Sequence, residues 1–375
     1  MSSLGHILST FGQILQQQLF PVLEQELGPL SGRYAALVKA LALVQMDGFV
    51  AVRQGRGRPA HDRACMARAF LAKAICNLPH TRALIERLTY DVTLRRLCGW
   101  ERAAEVPEES TFSRAFAELA TQEFGQRVHA ALIARTQSER LVGHVLRDST
   151  AIPAREKPEP KPKTEEAPVK RPHRRSGTTQ QPERMTRIER QCAGMSLEEM
   201  VKELPTVCNV GCKPNAHRHK EYWPGYKLHL DVIDGQIPIS YMLTSASVND
   251  NQVAVPLAVM TAQRITSCYD LMDAGYDCEA IREHSRKLGH VPIIRRQKRG
   301  TLNVEMDPHE KARYRERTGM ERAFSRLKDE FGFSTVRVRG ARKVLAHLMF
   351  GILALTADQI LRWCGTEDGL APAPS

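Results

Sequence analysis

"YRERTGMERAFSRLKDEFG", residues 314–332, carries four acids in nineteen residues. At 100° per residue, with Glu321 set at zero, Tyr314 falls about 20° to one side and Arg317 about 40° to the other. Lys328 lies about 20° from zero, so Tyr, Arg, Glu and Lys share a stripe roughly 60° wide. Glu316 and Glu330 point about 140° and 180° away, as ordinary solvated charge, and Asp329 sits at the edge near 80°. Met320, Phe324, Leu327 and Phe331 cluster beside the stripe, which predicts a helix lying on a sheet with Glu321 and two cations on its shoulder. Alone, Arg317 and Glu321 have the spacing of a routine i,i+4 pair worth a few tenths of a kcal/mol.

Upstream partners change that reading. "LVGHVLRD" (141–148) is an apolar strand closing on Asp148, and "CYDLMD" (268–273) is another closing on Asp273. An unpaired carboxylate at the end of a buried strand is costly. Three carboxylates meeting at one sheet edge repel unless a cation lies between them. A pair of hard divalent ions, Mg²⁺ or Mn²⁺, suits an all-oxygen donor set and the chemistry of in-line phosphoryl transfer.

Around these strands the pattern is mixed α/β. "GYKLHLDVIDGQIPISYMLTSAS" (225–247) predicts two strands joined by a two-residue turn at Asp234-Gly235. Residues 250–264 and 277–289 predict helices, and 290–296 a strand. The order β, β, β, α, β, α, β, α excludes a doubly wound parallel sheet. Residues 1–138 show helical spacing throughout, with Ser110 or Thr111 as the expected N-cap of a helix over 110–124. The expected division is a helical domain over 1–138, a mixed-sheet core over 139–365 and a disordered tail over 366–375. The core is interrupted at about 154–222 by a basic insert poor in apolar residues, largely disordered, with a short helix at 196–204.

The 375 residues carry a formal net charge of +12 and a pI near 9.4, which points to a polyanionic partner, nucleic acid first. The apolar run 344–361 contains His347 and Asp358 and reads as a buried carboxy-terminal helix, so no membrane partner is expected. The first twenty residues lack a basic n-region and a cleavage site, and nine scattered cysteines fit reduced thiols in a cytoplasm. Cys208, Cys212, His217 and His219 have a spacing that matches no trusted zinc pattern, so free thiols are expected. Arg56 and Arg58 in "RGRP", and Arg114 on the helix after 110, are candidate DNA contacts beside bland readings as linker and packing residues.

Asp148, Asp273 in D-x-G-Y, and Tyr314-x2-Arg317-x3-Glu321-x6-Lys328 closely resemble the signature of bacterial insertion-sequence DDE transposases. The helical stretch from "GRPAHDR" to "STFSRAF" resembles the domain preceding the core in one branch. The resemblance implies a ribonuclease-H-like core that cuts transposon ends and joins them to target DNA. It implies that Asp148, Asp273 and Glu321 hold two Mg²⁺ or Mn²⁺ ions, that Arg317 and Lys328 grip phosphates, and that Tyr314 contacts the transposon end. Asp270 is the alternative if the D-x-G-Y register is wrong. A homodimer on paired ends, in the bacterial cytoplasm at the nucleoid, follows from the same resemblance. Two rivals share these residues: a silent DNA-binding derivative, and a ribonuclease-H-like nuclease without strand transfer.

Overall fold

The computed structural model describes residues 14–51, 61–160, 185–214, 219–297 and 305–367. Arg56, Arg58, His217 and residues 161–184 of the expected insert lie outside these, as does most of the expected tail.

The amino-terminal half is helical: α1 (Phe20–Leu27), α2 (Gly32–Val44), α3 (Arg63–Ile75), α4 (Thr81–Tyr90), α5 (Val92–Cys98), α6 (Glu109–Thr121) and α7 (Phe124–Gln137). Side chains satisfy the first free amides of several: Asp62 accepts from Ala64 N at 2.7 Å and Asp91 from Leu94 N at 2.9 Å. The expected cap of α6 is corrected. Helical backbone begins at Glu109 after Glu108, so Ser110 and Thr111 fall inside the first turn, where Glu109 complements the positive helix end.

The sheet holds β1 (Leu141–Pro153), then, after α8 (Arg187–Cys192) and α9 (Leu197–Lys202), β2 (Asn209–Pro214), β3 (Lys220–Ile233) and β4 (Ile237–Ser245). It continues with α10 (Ala254–Ala262), β5 (Thr266–Met272), α11 (Glu279–Lys287) and β6 (Val291–Ile294). The strand order is β2-β3-β1-β5-β6, with β4 also on β3. β1 is parallel to β5 and antiparallel to β3, so the sheet is mixed, as expected of a ribonuclease-H-like core.

Three local expectations are corrected. Asp148 ends the parallel ladder rather than the strand: β1 and β5 part at Arg147–Met272, while the antiparallel ladder with β3 continues to Pro153–Gly225. The β3–β4 connection takes three residues, with positive φ at Gly235 (82°) and Gln236 (59°). Asp234 is the first of the three, and its carboxylate accepts from the amides of Gly143 (2.8 Å) and His144 (3.1 Å). Within the second half of the expected insert, residues 185–214 are folded, because β2 finds the free edge of β3 and Gly211 admits the Trp223 ring, which lies 2.4 Å from where a Cβ would stand.

After β6 come α12 (Pro308–Tyr314), a 3₁₀ turn over Arg315–Arg317, α13 (Thr318–Asp329) and α14 (Ala341–Glu367). The expected single helix over 314–332 is thus broken at its start, although Met320, Phe324, Leu327 and Phe331 are buried as the spacing predicts. α14 is long and apolar enough to cross a membrane, but 78% of its most apolar window is buried inside this fold. It packs on α2, α3, α6, α7 and β4, and Phe350 lies 5.6 Å from the Phe70 ring and 6.4 Å from Phe124. One hydrophobic cluster therefore runs from the helical layer through α14 to the sheet. The opposite sheet face carries a buried polar set: Arg147 bonds Asp231 through two nitrogens, at 2.8 and 2.7 Å, and Thr261 donates to Asp231 at 2.6 Å.

Candidate active site

The parallel register sets Arg147 level with Met272. Asp148 and Asp273, one residue further along each strand direction, therefore fall side by side just past the end of the parallel ladder between β1 and β5. Successive side chains alternate faces, so Arg147 enters the polar set on one face while Asp148 turns to the face that α13 covers. The close approach of α13 is made at Gly319, where a Cβ would come within 3.1 Å of the Leu146 side chain.

Arg317, in the 3₁₀ turn before α13, joins the acids. Its guanidinium bonds Asp148, and through Nη1 it bonds Glu321 at 3.1 Å. The second Asp148 oxygen accepts from Ser149 N at 2.7 Å. Asp273 Oδ1 accepts from Gly275 N at 2.9 Å, which fixes the D-x-G-Y turn. Glu321 remains exposed beyond its contact with Arg317.

The electrostatics follow from this crowding. Burial pushes the Asp148 carboxyl up to about 6; Arg317 and the Ser149 amide hold it back, and Asp273 and Asp250 add to the rise. Burial opposes the charge of Arg317, yet Asp148, Tyr314, Asp273 and Glu321 outweigh it and raise its pKa. Tyr314 is half-buried and shifted up by burial. Lys328 is shifted down, by burial first and then by Lys213.

A cavity of about 670 Å³ opens beside Asp148, with Lys328 and Gly275 in its wall. It also shows residues that the sequence reading did not single out. Asp250 accepts from Ser149 Oγ at 2.8 Å and from Lys227 Nζ at 3.0 Å. Its only sequence signal was an acid just after a strand, at the start of a helix. Lys213 reaches the cavity from β2, which composition alone marked as solvated insert. Tyr276, the last residue of D-x-G-Y, is buried near Asp250, Asp148 and Asp273, and its hydroxyl has no partner among the described residues.

The donor set fits a hard divalent ion: its acids offer only carboxylate oxygens, and the unpartnered Tyr276 hydroxyl marks room for a further polar group. Among the described residues no three His, Cys, Asp or Glu side chains converge as a ready-made cage; the Arg317 guanidinium bridges Asp148 and Glu321 instead. Asp270 belongs elsewhere. It is buried against His290 Nδ1 at 3.2 Å and Ser285, in the polar set with Arg147. Arg114 is exposed on α6 and bonds back to Ser110 O (3.4 Å) and Thr111 Oγ1 (3.2 Å). Cys208 is buried and Cys212 exposed, and neither is in a disulfide.

Two families match this chain. The one described as "Transposase DDE domain" matches residues 143–357, and "Transposase domain (DUF772)" matches residues 27–118. No curated protein and no solved structure matches. With more than half of the chain matched by the first family, and the acids set on its mixed sheet, the protein belongs to the DDE transposases, the enzymes of DNA transposition.

Proposed function

We propose that the protein binds the ends of an insertion sequence, cuts DNA there, and joins the freed 3′ ends to target DNA. The observation that carries this reading is the side-by-side placement of Asp148 and Asp273, with Glu321 brought to them through Arg317. In this proposal Asp148, Asp273 and Glu321 hold two Mg²⁺ or Mn²⁺ ions. When bound, such ions activate an attacking oxygen and stabilise the leaving one.

The remaining work falls to the chain's own groups. Arg317 exchanges its carboxylate partners for a backbone phosphate, for which its planar donor fork is suited. Lys328 neutralises a phosphate from the cavity wall, and Tyr314 rests against the sugar-phosphate backbone of the transposon end. Asp250 anchors Ser149 and so the strand next to Asp148. Residues 1–138 form the end-binding domain, with Arg56, Arg58 and Arg114 among its phosphate contacts. The acting species is a homodimer holding both ends at the nucleoid in the cytoplasm.

The test uses supercoiled DNA carrying the element's two ends, incubated with protein and Mg²⁺. End-specific breaks together with joined products support the proposal. Nicks without joined ends point to a nuclease alone, and binding without breaks points to a silent derivative.

A further inference from the structure

A second cavity, of about 360 Å³, lies away from the carboxylates, between α3, α6, α14 and the segment that follows α13. That volume falls within the range of small-molecule sites, about 300–1,000 Å³. Phe70, Phe112, Phe116, Phe331 and Phe350 supply much of the wall. The rings brace one another: Phe70 lies 5.8 Å from Phe112 and 5.1 Å from Phe116, both edge-on, and 5.6 Å from Phe350.

Apolar walls alone would not identify an occupant, but Lys73 also lines this space. It is only 9% exposed, and among the described residues no carboxylate, carbonyl or hydroxyl bonds its ammonium. Glu109, the acid in the wall, is paired with Arg82 at 3.1 Å. Arg337 is exposed at the rim, where water solvates it. Burial lowers the Lys73 pKa to about 8, so the amine is mostly charged at neutral pH and lacks a counter-group. An anion entering the cavity would supply one. One buried ammonium balances one negative charge. A carboxylate therefore matches it, whereas a phosphate dianion would carry a second, uncompensated charge into an apolar wall.

His347 narrows the choice further. Its Nε2 lies 3.1 Å from the Gly332 carbonyl, which can only accept, so Nε2 carries the proton. Burial, with Lys73 adding, depresses the ring to about 4 and keeps it neutral, which leaves Nδ1 as an acceptor. The cavity thus combines aromatic walls, one cationic donor and one neutral acceptor. A flat ring suits the phenylalanines, and an N–H or O–H on that ring suits Nδ1.

We propose that this cavity is a binding site for a small aromatic monocarboxylate with a ring N–H or O–H, its carboxylate paired with Lys73 and its ring donor held by His347. Such a ligand would touch α3 and α6 of the helical layer together with Phe331, just beyond the helix that carries Glu321. Asn77, in the loop after α3, already ties the two there by donating to Asp329 O at 2.7 Å. Occupancy would therefore strengthen the seam between the helical layer and the core. The inference is independent of the DNA reading above, and its test uses no DNA.

The probes are indole-3-acetate and 4-hydroxyphenylacetate, titrated calorimetrically into the full-length protein, with thermal midpoints followed in parallel. Saturable binding of either acid at one site, with a rise in midpoint, is the expected result. The matching neutral amide, indole-3-acetamide or 4-hydroxyphenylacetamide, should bind about tenfold more weakly or worse, because it cannot pair with the ammonium. In Lys73→Met the acid should lose that advantage over its amide, while the ligand-free midpoint, unchanged or higher than wild type, shows that the variant is folded. The proposal is overturned if neither acid binds at millimolar concentration, or if acid and amide bind wild type equally, a comparison that needs no variant. It is also overturned if Lys73→Met keeps the preference for the acid. Hexanoate binding as tightly as the aromatic acids would assign the cavity to aliphatic carboxylates and overturn the aromatic assignment.

Discussion

The Arg317 guanidinium joins Asp148, a strand carboxylate 169 residues upstream of it, to Glu321, a helix carboxylate. It supplies the positive charge that the crowded acids require, and it stands where a metal ion would have to reach both. Removing it should therefore help metal and hurt DNA. Arg317→Gln is expected to bind Mn²⁺ more tightly than wild type without DNA, and end DNA more weakly. Calorimetric titration of each ligand checks this; unchanged Mn²⁺ affinity would show that Arg317 does not compete for the site.

Asp148 makes a pH-dependent prediction for the metal-free protein. Its folded pKa, about 6, lies above its ordinary 3.8. The folded state thus binds this proton more tightly than the unfolded state, and the associated stability is complete below about pH 4 and lost as pH rises through 6. Asp148→Asn is expected to stabilise the protein by about 3 kcal/mol at pH 7 in chelator, and scarcely at all below pH 4. Denaturant midpoints at the two pH values measure it.

Lys73 carries a similar burden with opposite charge. Its pKa falls from 10.5 to about 8 on folding, so the penalty is complete below pH 8 and is relieved as pH rises toward 10.5. Lys73→Met should raise stability at pH 7 by about 3 kcal/mol, with the gain shrinking in alkali. Urea unfolding across that range shows whether it does.

The polar set behind the site predicts the reverse behaviour. Arg147 is 2% exposed and bonded twice to Asp231. Arg147→Met strands a buried carboxylate and should cost about 4 kcal/mol. The double variant Arg147→Met, Asp231→Leu should recover much of that loss, which a double-mutant cycle on unfolding free energies reads directly.

Lys213 and Lys328 face the cavity beside Asp148 from different elements. If each meets one phosphate, alanine at either should flatten the salt dependence of end binding by about one unit of slope. Equilibrium binding over a series of salt concentrations measures this, and slopes equal to wild type would remove both from the DNA path.

Much of this arrangement was legible in the sequence. The apolar strands, the 3.6-residue spacing of Met320, Phe324 and Leu327, and the turn-forming D-x-G-Y are local patterns, and local patterns determine elements. The 3₁₀ turn at Arg315–Arg317 was not legible, because the same residues satisfy a continuous helical wheel. The extension of β1 past Asp148 depends on how far β3 runs beside it, which is a tertiary fact. Asp250 and Lys213 entered through β-pairing and a helix start distant in sequence. Composition hid β2 altogether: its cysteine, lysine and glycine gain strand structure only because β3 offers an edge and Trp223 covers Gly211.

The central claim, that Asp148, Asp273 and Glu321 form one metal centre, is tested most directly by counting Mn²⁺ ions on the protein bound to uncleaved end DNA. Electron paramagnetic resonance of wild type, Asp148→Asn, Asp273→Asn and Glu321→Gln gives the counts, with DNA affinity measured in parallel. The account predicts two ions for wild type, fewer in every variant, and DNA binding retained in Glu321→Gln. Two ions bound undiminished in all three variants would contradict it.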